Sequence, residues 1–399
     1  MVNELYQIHI QEISLNITNG KIDSVRKKNI LRSGCRVYDG GCIGVAGTLG
    51  EPAEDTWQAA RDALNLRIPY PYQPGSNLRR ARSIGSMPDE KEFIQKMEAV
   101  LNSLGKEFPG YVLSNKVNAR VVTETLRSDA GLDLASTCAT VSASIIVKEE
   151  ASPNVFDSAI FYSSDHFDPE RILEEGRSVL RAHSNLIPMP EEKLPVMMMS
   201  DDLVGLLASW LNGKSLQKGA SLLSGKVGQK VFSEKFTLLS SRREDTFDAF
   251  FDAEGTTLEG DAIPLIEKGV LLRGLGDKFC QGEYGSDLTA SAGGAYDDVP
   301  ALGGSILALE PTGSREEILR GGDAIVVWMA SGGDVTPAGD YATPVQTAYL
   351  MREGRLVARL PEFNFGGNLF RLLGDDFLGC PTEKICGSAS TLIVKGDIR

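Results

Sequence analysis

The chain has 399 residues, 42% of them hydrophobic and 24% charged, with a formal net charge of −13 at pH 7. That length exceeds what one hydrophobic core ordinarily serves, so two domains are expected. The acidic balance argues against a nucleic-acid binder, which needs basic surface to neutralise phosphates, and no apolar run approaches the roughly 18 residues of a membrane span.

The first residues lack the basic flank and apolar core of a signal peptide, so a cytoplasmic location is expected. Six cysteines are too sparse for a disulfide framework in a chain this long, and reduced thiols are expected. Two short basic runs, Arg26-Lys27-Lys28 and Arg79-Arg80-Ala81-Arg82, read as solvated loops.

In chain order, Ile13, Leu15 and Ile17 alternate with polar residues, which marks a strand. Asn19-Gly20 then supplies a hairpin turn, because both residue types tolerate the left-handed backbone that such turns require. A second strand follows through Val25, and Val37 to Ile43 reads as another hairpin around Gly40-Gly41. Pro52 to Leu64 is expected to be helical, with Trp57, Ala60 and Leu64 on one side. Ile68 to Met87, rich in Pro, Gly, Arg and Ser, reads as a loop. Asp89 is placed to cap a helix whose Phe93, Met97, Val100, Leu101 and Leu104 keep helical spacing, with its end expected at Gly105. Strands return at Arg120 to Leu126 and Leu132 to Val147, joined by the turn Ser128 to Gly131. Asp168-Pro169 opens another helix, with Ile172, Leu173, Val179 and Leu180 facing inward.

Ile187 to Pro195 has the composition of an interdomain linker. The expected division is therefore an N-terminal α+β domain, 1–190, and a C-terminal β-rich domain, 191–399. The latter begins with a strand at Val196 to Met199 and a helix from Asp202 to Gly213. Beyond it, Leu265 to Leu272 and Leu350 to Val357 each read as strand, glycine turn and returning strand. Strands that pair chiefly with strands give an α+β class with mostly antiparallel sheets.

No catalytic motif stands alone in this sequence. His9, His166 and His183 have no metal-binding spacing, and His183 sits near a helix C-terminus, where a cation is welcomed by the helix dipole. Gly213-Lys214-Ser215 resembles the end of a phosphate-binding loop but lacks its first glycine and preceding strand, so Gly213 reads as a helix C-cap. Gly44, Gly47 and Gly50 read as a turn. Paired acids such as Asp201-Asp202 read as helix starts and solvated loops.

The succession of glycine-rich pieces is more informative. It runs Gly219-Ala-Ser-Leu-Leu-Ser-Gly225-Lys-Val-Gly228, Phe251-Asp-Ala-Glu-Gly255, Ile266-Glu-Lys-Gly269, Ser331-Gly332-Gly333 through Gly339-Asp340, Gly354, Gly367-Asn368 and Cys386-Gly387-Ser388. In this order the pieces resemble the TldD/PmbA family, known as modulators of DNA gyrase and as metallopeptidase components. The resemblance implies two related subunits. One, TldD-like, carries H-E-x-x-x-H on the first helix of its second domain and a later cysteine as zinc ligand; the other, PmbA- or TldE-like, lacks the histidines.

Here Ala208, Ser209 and Gly213 stand at those three positions. Ala and Gly offer no side-chain lone pair to a metal, and Ser209 cannot act as the carboxylate base. Cys386 lies near the position of the family's cysteine ligand, but one thiolate without imidazole partners is not a metal site. The resemblance therefore implies a PmbA/TldE-like subunit without zinc of its own, with zinc expected on a TldD-like partner and peptides as substrate. Ser331, Gly332, Gly333, Asp340, Asn368 and Cys386 are the expected lining of the peptide chamber, where open backbone would take up an extended chain. A non-catalytic, peptide-binding or regulatory homodimer is the alternative.

Overall fold

A computed structural model describes residues 1–387 and 390–399. The N-terminal domain contains strands β1 (Val2–Thr18), β2 (Lys21–Asp39) and β3 (Cys42–Leu49), helix α1 (Glu54–Ala63), and strands β4 (Ile68–Pro69) and β5 (Leu78–Ile84). It continues with helix α2 (Glu90–Glu107), strands β6 (Tyr111–Ser128), β7 (Leu132–Glu149) and β8 (Ser158–Ser164), and helix α3 (Pro169–His183). The eight strands form one sheet in the order β4-β3-β2-β1-β6-β7-β5, with β8 on the same side of β7 as β5. Its first turn is set locally: Asn19 and Gly20 take φ of +50° and +71°, which matches the twist of the flanking strands.

Alternation along the long strands gives the sheet two different faces. Leu15, Ile17, Val117, Val141, Ala143, Ile145 and Val147 face the helices and are buried. Above them α2 buries Phe93, Met97, Val100, Leu101 and Leu104, the five positions whose spacing marks the helix. Asp89 starts it by accepting from Glu92 N at 3.0 Å, and Asp168 does the same for α3 with Arg171 N at 3.0 Å. Helix α2 runs to Glu107, two residues beyond the expected end.

Several expectations need correction here. Ile68 to Met87 is not wholly a loop, since β5 pairs in parallel with β7 from Leu78↔Leu132 to Ile84↔Cys138. Its arginines are mostly engaged: Arg80 makes a two-pronged contact with Asp261 at 2.7 and 2.6 Å, and Arg82 donates to the carbonyls of Arg242 and Asp248. The run Arg26 to Lys28 is exposed but lies in β2. Gly44 and Gly47 belong to β3, and there they make room. A side chain at Gly44 would collide with the Ala60 carbonyl of α1, and one at Gly47 with Asp297. His183 is no solvated cation. It is 1% exposed, accepts from Arg359 at Nε2 (2.8 Å), and is pushed down to about 4 by burial and by that guanidinium.

Residues 184–195 lead to strand β9 (Val196–Met199) and helix α4 (Asp201–Trp210) of the C-terminal domain. Its main sheet has nine strands. The principal order is Phe377–Gly379, Thr391–Val394, β9, Ala324–Ala330, Asp340–Arg352, Phe363–Asn368 and Asp397–Ile398. Among the described residues, only β9 against Ala324–Ala330 is parallel in this sheet. The two similar hairpins form as expected, with left-handed Lys268-Gly269 and Glu353-Gly354 at their tips. The fold is thus α+β, two-domained and mostly antiparallel. No helix among the described residues is long and apolar enough to cross a membrane.

The two domains share a core. Met197, Val326, Trp328, Tyr349, Met351 and Ile393 from the C-terminal sheet pack in one cluster with Leu15, Val141, Ile160, Val179 and the buried side of α2. Trp328 donates its indole N–H to the Ala159 carbonyl at 2.7 Å, and the hydroxyls of Ser158 and Tyr349 lie 2.7 Å apart.

Candidate functional site

The face of the N-terminal sheet turned away from α2 and α3 is mixed: Tyr6, Leu126, Leu132 and Leu134 pack against Phe250 and Phe251, and a polar strip lies beside them. Register places Ile8 beside Glu124, Ile10 beside Val122 and Glu12 beside Arg120, and these continue to Ser136, Cys138 and Thr140 on β7. Side chains two residues apart share a face, so all of them project from this one. The segment Arg243–Gly255 of the C-terminal domain lies over it. Between them is a cavity of about 280 Å³ lined by Arg120, Glu124, Ser136, Cys138, Thr140 and Phe247 to Ala249. A second cavity of about 380 Å³ has Phe247 in common with the first and extends over Phe161 to Ser164, Arg171, Glu175, Lys384, Cys386 and Gly387. Together they form an interdomain groove with Phe247 at its waist.

Burial shifts the groove's carboxyls and thiols toward their protonated forms. Burial raises the Glu124 carboxyl above its ordinary range, while Tyr6 donates to it at 2.7 Å. Glu175 is raised by burial as well. The Cys138 thiol donates to the Asp248 carbonyl at 3.3 Å and is pushed up by burial. Cys386 is pushed up further, by burial and then by the carboxylates of Glu175 and Asp202. A thiolate is the form that attacks or binds metal, so Cys386 rests as a packed thiol. Cys386 and Gly387 both take left-handed backbone, at φ +53° and +64°, and a side chain at Gly387 would sit 3.0 Å from Ser163 N. The chain at Cys386 is therefore pressed against β8. Ser388 and Ala389, next along, lie outside the described residues.

Ala208 and Ser209 lie near the end of α4, where the Ser209 hydroxyl donates to the Leu206 carbonyl at 2.8 Å. Gly213 is not on that helix and is not its C-cap. Helix α4 ends at Trp210, and Gly213 opens a separate short helix, Gly213–Gln217, whose cap is Asn212 accepting from Ser215 N at 3.1 Å. The backbone explains the break: Gly213 N donates to the Leu275 carbonyl at 3.0 Å, so close that a Cβ would collide with that oxygen. A zinc ion does not fit these residues, which supply no imidazole and no carboxylate at the three positions. Among the described residues, no three His, Cys, Asp or Glu side chains gather to hold a metal.

The remaining expected residues divide. Asp340 and Asn368 meet: Asn368 Nδ2 donates to Asp340 Oδ1 and to the Ala338 carbonyl, both at 3.0 Å. Both line a separate cleft of about 670 Å³ with Tyr341, Arg371 and Asp397. Ser331, Gly332 and Gly333 are exposed beside it, but their backbone is not open as expected. Ser331 N donates to the Pro344 carbonyl at 3.0 Å, Thr343 donates to the Gly332 carbonyl, and Gly333 backs onto the Tyr341 ring. Cys386 lies in the interdomain groove, whose lining includes neither Asp340 nor Asn368. Glu124, Cys138 and Phe247 were not expected from sequence. The available signal was the run Ser136, Cys138, Thr140, Ser142, polar at every second position opposite Ala139, Val141 and Ala143.

Residues 194–377 match the profile of the PmbA/TldA metallopeptidase C-terminal domain. An uncharacterised protein of Methanocaldococcus jannaschii is 21% identical over 390 residues, covering 92% of this chain and 89% of that protein. A Methanothermobacter thermautotrophicus protein named a metalloprotease is 26% identical over 191 residues, 45% of this chain and 41% of that one. Among solved structures, TldE from Thermococcus kodakarensis superposes with a TM-score of 0.78 at 17% identity, covering 100% of this chain and 96% of that chain. A Thermotoga maritima protein described as a candidate modulator of DNA gyrase gives 0.75 at 19% identity, covering 100% and 95%. The second domain is thus similar in sequence to the PmbA/TldA metallopeptidase C-terminal domain, and the whole chain has the fold of TldE.

Proposed function

We propose that this chain is the TldE-like, zinc-free half of a metallopeptidase assembly, holding an extended peptide in its interdomain groove while a TldD-like partner supplies the metal and the hydrolysis. The observation that carries this is the pairing of a retained groove with an unfit helix. The groove reaches Cys386 between two domains, yet positions 208, 209 and 213 carry no ligand and are split between two helices. The likeness to TldE across the whole chain supports the same reading.

Strand β8 supports a peptide occupant. The Ala159 carbonyl points away from β7 to Trp328, so by the period of two the backbone of Phe161 points the same way, toward the groove, while that of Ser163 is covered by Gly387. Such an edge takes up an extended chain through its main chain and with little regard for sequence. The test is co-expression with a family member carrying H-E-x-x-x-H. A co-purifying pair that cleaves unfolded peptides, with each subunit inactive alone, is the expected result. Stoichiometric zinc and peptidase activity in this chain by itself would overturn the assignment.

A further inference from the structure

The segment Arg243–Gly255 has two tasks. Its first half, through Asp245, Phe247 and Asp248, walls the interdomain groove. Its second half buries two carboxyls, Asp252 and Glu254, each 2% exposed. Asp252 is fully served by backbone: Oδ1 accepts from Glu254 N at 3.0 Å and Thr256 N at 2.9 Å, and Oδ2 from Ala292 N at 2.9 Å. Glu254 is served less well. Oε1 accepts from the Tyr70 hydroxyl of the N-terminal domain at 2.7 Å, and Oε2 from Lys278 N at 2.9 Å. The Lys278 ammonium is engaged by the Glu254 carbonyl at 3.0 Å instead. Among the described residues, no cationic group lies within 4.0 Å of this carboxylate.

The surroundings offer little compensation. From β1 and β2 come Glu4, Arg36 and Tyr38, with Arg36 Nη1 already bonded to Glu4 Oε1 (3.2 Å) and the Ala253 carbonyl (2.5 Å). After β4 come Tyr70 and Tyr72, and the helix Lys278–Tyr284 brings Asp277 at its cap, Lys278, Cys280 and Glu283. An ionised carboxylate buried with only neutral donors is unfavourable. The neutral form keeps both contacts without the charge, because its O–H donates to the Tyr70 oxygen while Lys278 N still donates to the other oxygen.

We propose that Glu254 is a proton-operated latch, holding Arg243–Gly255 against the N-terminal domain when neutral and loosening this wall of the groove when ionised. On ionisation the proton passes to water and the Tyr70 hydroxyl turns from acceptor to donor. Burial, with the neighbouring Asp252 charge, lifts the carboxyl to about 7, so the change falls in the neutral range. The sign follows from a folded value above the unfolded one: closure is complete in acid and is lost as pH rises through about 7. The latch concerns the wall of the groove read above as a peptide site, and its test requires no peptide, so either idea can fail alone.

The test is hydrogen exchange of the full chain, read by mass spectrometry on peptides covering 243–255 and normalised to intrinsic amide rates. Protection is expected to fall roughly tenfold from about pH 6 to about pH 8. Glu254→Gln, whose amide donates to Tyr70 and accepts from Lys278 N, keeps the acid-side protection at both values. Tyr70→Phe, which removes the acceptor, loosens the segment even on the acid side. Equal protection of the natural chain at both pH values overturns the latch without recourse to any variant. An unchanged pH response in Glu254→Gln, or undiminished protection in Tyr70→Phe, overturns it as well.

Discussion

The indole of Trp328, on a strand of the C-terminal sheet, is hydrogen-bonded to the backbone of Ala159, on an edge strand of the N-terminal sheet. It is 2% exposed and packs edge-on against Tyr349, so the bond lies within a shared core. Trp328→Ala removes the ring and leaves the Ala159 carbonyl without its partner, a change of about 3–5 kcal/mol. Chemical denaturation followed by circular dichroism is expected to show one transition for the whole chain, displaced to lower denaturant. Two separated transitions, with the N-terminal one unmoved, would contradict the shared core.

Restoring the missing chemical groups is expected to fail. The variant Ala208→His, Ser209→Glu, Gly213→His places the right side chains at positions that the fold divides between two helices, the third against a carbonyl. Metal analysis after dialysis is expected to find no stoichiometric zinc. Gly213→Ala alone is expected to lower stability by about 1–3 kcal/mol, from the displaced Leu275 contact. A zinc-loaded triple variant would show that the helix break is not the obstacle.

His183 gives a pH signature. Its folded value, about 4, lies below the ordinary 6.5, so the unfolded chain binds the extra proton between the two. Stability from this group is therefore complete above about 6.5 and declines as pH falls toward 4, by up to about 1.4 kcal/mol per pH unit. His183→Gln retains an acceptor for Arg359 but cannot titrate. The difference in unfolding free energy between the two proteins is expected to follow that slope, and parallel curves would refute it.

Cys386 is expected to be a poor nucleophile. Iodoacetamide should modify it at least roughly tenfold more slowly than a free thiol near neutral pH, with no inflection below the ordinary thiol range. Rapid alkylation at neutral pH would mean that the thiol is activated, against the burial and the acidic neighbours seen here.

Local determinants made much of this fold legible. Asn19-Gly20 fixes the first hairpin by backbone preference alone, and Asp89 with Phe93, Met97 and Leu104 marks α2 within one stretch of chain. Strand β5 was hidden because its partner β7 lies some fifty residues onward and its arginines look solvent-seeking until Asp261 meets them. Similarly, nothing near Gly213 announces the Leu275 carbonyl that breaks the helix. The groove draws on β6, β7, β8, α3 and two distant segments, so it has no linear motif. Of the expected lining, Cys386 alone reaches it, and Asp340 with Asn368 form a different cleft.

The stretch 184–195 is largely exposed and connects halves already held by buried side chains on both sides. A protease cutting there would release no fragment: the two pieces would elute together and separate only in denaturant. In this protein the connecting peptide serves as a tether during folding rather than as a hinge afterwards.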